Sequence, residues 1–343
     1  MSTGSLDLAV EQARAGSDLS RGQASEALGV IMAGEASDDQ IRDLLLALRE
    51  KGETPEELAG MAETMRGLAS AVSPVRDDLV DTCGTGGGRQ TFNISTAAAI
   101  VAAGAGCAVA KHGNRSATGL TGSADVLEEL GAGIDLAPEA VAELIDEVGF
   151  GFMFAPAHHA ATRHVVPVRK ALGVSTIFNL LGPLTNPAGA ARQLIGVWEP
   201  ARLDIVAEAL VLLGTGHAMV VSSSDGLDEI SISGPTEVRE VTAAGVEVRE
   251  LTPAAIGVEE FDIEELPGGD AAASASIVRG VLAGEPGAAR EIVAANAAAA
   301  IYLSGIAGSL AEGVVAAREA IDSGAALDRL DRYVQISRKM SAA

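Results

Sequence analysis

Four clusters of polar residues interrupt a chain otherwise rich in small apolar side chains. The first runs Asp81-Thr82-Cys83-Gly84-Thr85-Gly86-Gly87-Gly88-Arg89-Gln90-Thr91-Phe92-Asn93-Ile94-Ser95-Thr96, leaving a short apolar run and entering an alanine-rich one. Glycines let backbone N–H groups approach anionic oxygens, Asn93, Ser95 and Thr96 exchange hydrogen bonds, and a helix N-terminus adds a favourable dipole, so the stretch is a phosphate cradle in outline. It is neither a Walker loop nor a dinucleotide fingerprint, and a plain tight turn has similar glycines. The second cluster, Lys111-His112-Gly113-Asn114-Arg115 through Ser123 and Asp125, gathers cations, amides and hydroxyls after another apolar run. In a chain with four lysines, such a cluster at the end of a strand marks the edge where α/β sheets bind ligands.

The third cluster holds His158, His159, Arg163, His164, Arg169 and Lys170 and continues through Thr176 to Pro187. His159, Arg163 and Arg169 are its natural carboxylate binders, although a lone Arg169 also suits a helix C-terminus or a surface acid. Zinc is disfavoured because no third His or Cys has ligand spacing. The fourth, Asp225-Gly226-Leu227-Asp228-Glu229, places adjacent carboxylates on a loop, a pattern that suits Mg²⁺ and equally suits an acidic turn.

The elements that position these clusters are legible from caps and periodicity. Ser20 with Gln23, Ser37 with Gln40, and Thr54 with Glu57 have capping-box spacing, and Gly34 and Gly52 close the first two of the helices so started. Ile41, Leu44, Leu45 and Leu48 share one face, as do Leu58, Met61, Met65 and Leu68, marking core and dimer surface. After Pro74 short apolar runs alternate with helical stretches, the texture of a mostly parallel sheet. Strands are expected over 79–82, 107–110, 150–154, 193–198 and 218–222 and through Ile230, Val238 and Val246. Helices are expected over 95–104, 123–130, 138–148 and up to Leu213, with four alanine-rich helices between Ala271 and Met340. The fold class is therefore α/β, a small all-helical domain plus a larger domain with a central, mostly parallel sheet.

Composition excludes other functions. The chain has 343 residues, 48% of them hydrophobic and only 3% aromatic, and carries a net charge of −23. That charge repels nucleic acid and anionic lipid, and the scarcity of aromatic rings removes base-stacking platforms. The acidic balance fits a protein kept soluble at high salt or an ordinary acidic cytoplasmic one. Two cysteines form no disulfide framework and imply a reducing compartment. The expectation is a cytoplasmic protein without signal peptide or membrane span.

In combination and order, these motifs resemble the anthranilate phosphoribosyltransferase family of tryptophan biosynthesis, which shares its fold with pyrimidine nucleoside phosphorylases. The resemblance spans nearly the whole chain, ending with Glu319 to Gly324. It implies an Mg²⁺-dependent glycosyltransferase that moves the 5-phosphoribosyl group of phosphoribosyl pyrophosphate (PRPP) to anthranilate. It also implies a homodimer joined through a helical domain of residues 1–74 with about 166–187, the rest of the chain (75–165 and 188–343) forming the PRPP-binding domain. PRPP would lie against Gly84, Thr85, Gly87, Gly88, Thr91, Asn93, Ser95, Thr96, Lys111, Asn114, Gly119 and Ser123. Anthranilate would face Gly84, His112, Asn114, His159, Arg163 and Arg169. Ser95, Asp228 and Glu229 would hold Mg²⁺, and no residue stands out as a general base, leaving Lys111 and Arg169 to act electrostatically. The chain departs from the family pattern at Gly88, where Asp is usual, at Thr118 and Gly119, where serines are usual, and at Ala160, where Pro usually follows the histidine. Gly88 removes a carboxylate that would help to organise pyrophosphate and metal. Two other readings stand beside this one: a nucleoside phosphorylase using orthophosphate, and a paralogue with another acceptor or only a binding role. The Asp228-Glu229 pair and the Gly182–Pro187 segment favour the transferase.

Overall fold

A computed structural model of the chain describes residues 3–116 and 121–342. The first four elements are helices: α1 (Thr3–Arg14), α2 (Arg21–Met32), α3 (Asp38–Lys51) and α4 (Pro55–Leu68). The last three begin at the capping boxes of Ser20, Ser37 and Thr54, each with both reciprocal hydrogen bonds in place. Helix α1, which has no such cap signature, packs on α2 and α3. Of the two apolar stripes, only Leu68 turns out to be mainly exposed.

The chain then alternates: β1 (Leu79–Gly84), α5 (Ile94–Gly104), β2 (Ala108–Gly113), α6 (Ser123–Glu129), α7 (Pro138–Val148) and β3 (Phe150–Phe154). A helical excursion follows, α8 (Ala155–His158), a 3₁₀ turn (Ala160–His164), α9 (Val166–Leu172) and α10 (Ile177–Leu181). It leads α9 onto α3, and α10 onto α3 and α4. The sheet resumes with β4 (Arg192–Gly196), α11 (Leu203–Leu212), β5 (His217–Ser223), β6 (Thr236–Thr242) and β7 (Gly245–Leu251). After α12 (Pro253–Ile256), four helices end the chain: α13 (Ala271–Leu282), α14 (Ala288–Ser304), α15 (Leu310–Asp322) and α16 (Ala325–Ser341).

The seven strands lie in the order β3-β2-β1-β4-β5-β6-β7. The first five are parallel, and β6 and β7 form an antiparallel margin. Helices α5 and α14 cover one face with a core of alanines, Val101 and Ile301. On the other face α11 joins the strands to α4, so that Ile195, Val220 and Leu210 share a core with Leu28, Leu45 and Leu58. The sheet grows from β1 in two directions, to β2 and β3 on one side and to β4 and β5 on the other, and such a reversal opens a crevice at the carboxyl ends of the strands.

One expected strand does not form. Ile230 is buried without a strand partner, because a side chain occupies its backbone: its N–H donates to Asn296 Oδ1 (2.9 Å) and its carbonyl accepts from Asn296 Nδ2 (3.0 Å). The preceding turn is knotted by Asp225, whose carboxylate accepts the hydroxyls of Ser223, Ser231 and Ser233. The chain is thereby held bent where its apolar content alone suggested extension.

Candidate active site

The first cluster occupies the crevice between β1 and β4. Gly84 and Gly196 are register partners at its mouth, and the Asp228 turn crosses directly over them. A Cβ on Gly196 would lie 1.7 Å from the Asp228 carbonyl oxygen, so only glycine permits the crossing. The loop beyond β1 is pinned at intervals: Thr85 N–H to the Gly196 carbonyl (2.8 Å), Gly86 N–H to Asp228 Oδ2 (3.1 Å), and Arg89 N–H to the Gly226 carbonyl (2.9 Å). Between the pins, the N–H groups of Gly87 and Gly88 meet no acceptor among the described residues. The loop leads into α5, where Asn93 accepts the Ser274 hydroxyl (2.7 Å) and the Thr96 hydroxyl is buried without a partner. Thr91, by contrast, turns its hydroxyl back to the carbonyl of Phe92.

Lys111, on β2, reaches across to this loop and is 1% exposed. Its ammonium donates to the Thr82 carbonyl and lies 3.3 Å from both Thr82 Oγ1 and Ser95 Oγ. Ser95 thus stands between Lys111 and Glu229, its backbone N–H close enough to favour the ionised Glu229 carboxyl. Burial, followed by repulsion from Asp228, raises the pKa of Glu229, and burial raises that of Asp228 as well. No basic side chain forms a salt bridge with either carboxylate among the described residues. A close pair of buried carboxyl groups, with a neighbouring hydroxyl, fits a divalent cation that keeps waters and substrate oxygens in its shell and whose charge would favour the ionised forms. No three His, Cys, Asp or Glu side chains converge on a metal-sized site among the described residues, so an all-protein cage is not formed there.

The second and third clusters meet on the β2 side of the crevice. The rings of His112 and His159 lie 5.1 Å apart. Burial, then the neighbouring histidine, holds His112 down to about 3, and burial holds His159 down to about 4, so both are neutral at pH 7. His112 Nδ1 faces the Gly182 carbonyl (3.1 Å) and must carry the hydrogen, which leaves its buried Nε2, without a protein partner, as a lone-pair acceptor. His159 Nε2 likewise donates to the Thr185 carbonyl (3.0 Å). Arg169 sits 5.3 Å over the Phe178 ring, its pKa lowered by burial, and pairs with no carboxylate among the described residues. Arg163 lies exposed on the turn between His159 and α9. Asn114 is exposed at the end of β2, where its carbonyl accepts the Ser123 hydroxyl (3.3 Å). Thr118 and Gly119 lie outside the described residues.

Several residues organise this site through pairings that motif reading does not show, although Asp81 opens the first cluster and Asn186 lies in the third. Asp81, fully buried, accepts from the His112 N–H (3.1 Å) and from Asn186 Nδ2 (2.7 Å), and burial raises its carboxyl to about 6. Gln193 donates to the Pro183 carbonyl (2.8 Å) and Arg66, from α4, to the Leu184 carbonyl (2.7 Å). Each is a long-range partner of a turn, and nothing in the local sequence of either announces it.

A helical bundle joined to an α/β domain, with a donor-rich crevice at the sheet's reversal point, defines a transferase of phosphorylated substrates. Family matches agree: residues 9–69 match the helical bundle domain and residues 76–327 the a/b domain of the glycosyl transferase family. The anthranilate phosphoribosyltransferase of Rubrobacter xylanophilus is 52% identical over 97% of this chain and 98% of its own. The crystal structure of the Thermus thermophilus enzyme of that name superposes with a TM-score of 0.91 at 46% identity, covering 96% of this chain and 99% of that one. The Saccharomyces cerevisiae enzyme in complex with PRPP and Mg gives a TM-score of 0.89 at 28% identity, covering 98% and 99%. This chain belongs to the anthranilate phosphoribosyltransferase family.

Proposed function

We propose that this chain transfers the 5-phosphoribosyl group of PRPP to the amine of anthranilate, with release of pyrophosphate. The observation that carries the reading is the pair of glycine N–H groups, unengaged among the described residues, beside a buried lysine and two buried carboxyl groups, all at the reversal point of the sheet. Displacement at C1 of the ribose builds cationic character on the sugar and negative charge on the departing pyrophosphate. The amides of Gly87 and Gly88, the hydroxyls of Thr85, Ser95 and Thr96, the amide of Asn93 and the Lys111 ammonium stabilise that negative charge. Asp228, Glu229 and Ser95 would hold Mg²⁺, which when bound neutralises the leaving group.

Arg169 takes the carboxylate of anthranilate, and His112 Nε2 accepts a hydrogen bond from its amine. A strong base is not required, because an aryl amine is unprotonated near neutral pH, and two neutral histidines with depressed pKa values agree with catalysis by positioning. Gly84, Asn114 and His159 border the acceptor, and Arg163 stands farther out at its entrance. The PRPP side is completed by Thr91, Ser123 and the segment containing Gly119.

The same reading divides the chain into a helical domain, 1–74 with about 166–187, and an α/β domain, and makes the protein a cytoplasmic homodimer joined through its helices. The seating of α9 and α10 against α3 and α4 supports the first part, and exposed Leu8 on α1 the second. No helix among the described residues is long and apolar enough to cross a membrane. The test is the loss of anthranilate fluorescence on mixing protein, PRPP and Mg²⁺ at low and high KCl. Metal-dependent decay is expected, and a folded protein that shows none at any salt concentration refutes the assignment.

A further inference from the structure

The chain has a single tryptophan, Trp198, two residues beyond β4, and it lies against the glycine loop. A Cβ on Gly87 would sit 2.9 Å from the indole Nε1 and 3.1 Å from Cδ1. On Gly88 it would sit 3.2 Å from Trp198 Cβ, 2.8 Å from the Gly226 carbonyl oxygen and 3.3 Å from Asp228 Oδ1. The stretch from Gly86 to Gly88 is thus clamped between the indole on one side and the Asp228 turn on the other, with no room for a side chain at either of its last two positions. Gly87 has φ +98°, a backbone conformation open to glycine and strained for other residues, so the loop takes this path without a side chain of its own to pack it. Trp198 is 37% exposed and also borders a cavity of about 150 Å³ lined by Arg49, Glu53, Thr176, Asn179 and Arg202. Its ring therefore has the loop as a neighbour on one side and open space on another.

We propose that Trp198 is a positioning residue for the diphosphate of PRPP: its indole holds Gly86–Gly88 against the Asp228 turn, so that the N–H groups of Gly87 and Gly88 stay open to anionic oxygens. The inference rests on the transferase reading above and adds to it a residue that acts through the loop and not on the acceptor. It also accounts for Gly88, since any side chain on this loop position would meet the Gly226 carbonyl and Trp198.

The test uses the full-length protein. Indole emission is titrated with PRPP and Mg²⁺ without anthranilate, and a saturable change is expected with a midpoint near the KM for PRPP. Trp198→Ala is expected to raise the KM for PRPP at least tenfold, with kcat lowered less than threefold and the KM for anthranilate changed less than twofold. Trp198→Phe, which keeps a flat ring, should return the KM for PRPP to within threefold of the native value. An unchanged KM for PRPP in Trp198→Ala, or an equal rise in both KM values, overturns the proposal. Should Trp198→Ala fail to fold, the native titration decides, and constant emission at saturating PRPP overturns it. Absence of native turnover would remove the transferase reading itself, whereas native turnover with silent emission and an unmoved KM removes only the role of Trp198.

Discussion

The two walls of the crevice are built on opposite principles. On the side proposed to take PRPP, the loop from Gly84 to Gly88 is tied down at its ends and leaves the N–H groups of Gly87 and Gly88 without acceptors among the described residues. On the proposed acceptor side, the turn from Gly182 to Thr185 has its four successive carbonyls taken by His112, Gln193, Arg66 and His159, side chains from β2, β4, α4 and the end of α8. One wall is a receptor with spare donors, the other a scaffold with filled acceptors. The scaffold's role is to fix the ring nitrogens and the guanidinium around it, and the receptor's is to wait for charge. Substitutions on the two walls should therefore fail differently, the first in PRPP use and the second in acceptor use or stability.

The largest effect is expected at the hinge of this contrast, Lys111, the buried cation shared by Thr82 and Ser95. Lys111→Met should lower kcat/KM by about 10²–10³-fold, as loss of a preorganised charge donor does, and a loss below tenfold, read by anthranilate fluorescence, would erase the distinction between the walls. Next comes Arg169→Ala, which removes a charged hydrogen-bond donor and should raise the KM for anthranilate about 10- to 100-fold. The KM for PRPP should stay within threefold, and equal effects on both substrates would move Arg169 off the acceptor wall.

A smaller and purely structural effect concerns Asp81, which ties His112 to Asn186. Because burial raises its folded-state pKa to about 6, the carboxyl favours folding only while protonated. Its contribution is complete below about pH 4 and is lost as the pH climbs through 6, a cost of about 3 kcal/mol at most. In Asp81→Asn the urea midpoint should fall less between pH 4.5 and pH 7 than it does in the native protein, and parallel pH profiles for the two would contradict this. Smallest is Gly88→Ala, whose methyl meets the Gly226 carbonyl. Overpacking of about 1–2 kcal/mol is expected, with a KM for PRPP severalfold higher and the KM for anthranilate unmoved.

The receptor wall was far more legible in the sequence than the scaffold wall. Glycines, Asn93, Ser95 and Thr96 lie within one stretch, and a strand-to-helix turn of that composition announces its chemistry locally, as the capping boxes announced α2, α3 and α4. The scaffold is assembled from Asp81, Asn186, Gln193 and Arg66, four residues whose partners lie on other elements, and no local periodicity encodes such pairings. Trp198 escaped for the same reason, since what matters about it is the loop beside it. Ile230 misled because apolar content reports burial and not extension, and here an amide side chain replaced the neighbouring strand. Helix α1 lacked a cap signature, so its helical segment was expected but its start was not marked in the sequence.

That replacement has a consequence for how the protein comes into being. Asn296, which fixes the backbone of Ile230 and with it the turn bearing Asp228 and Glu229, is encoded 66 residues downstream on α14. A nascent chain that has emerged as far as β7 already possesses its glycine loop, its lysine and its histidines, but the carboxylate turn still lacks its anchor. The capped helices can settle early in synthesis, whereas the turn bearing Asp228 and Glu229 gains its anchor only when a late helix docks, so a truncated translation product keeps the glycine loop and the lysine but leaves that turn unfixed.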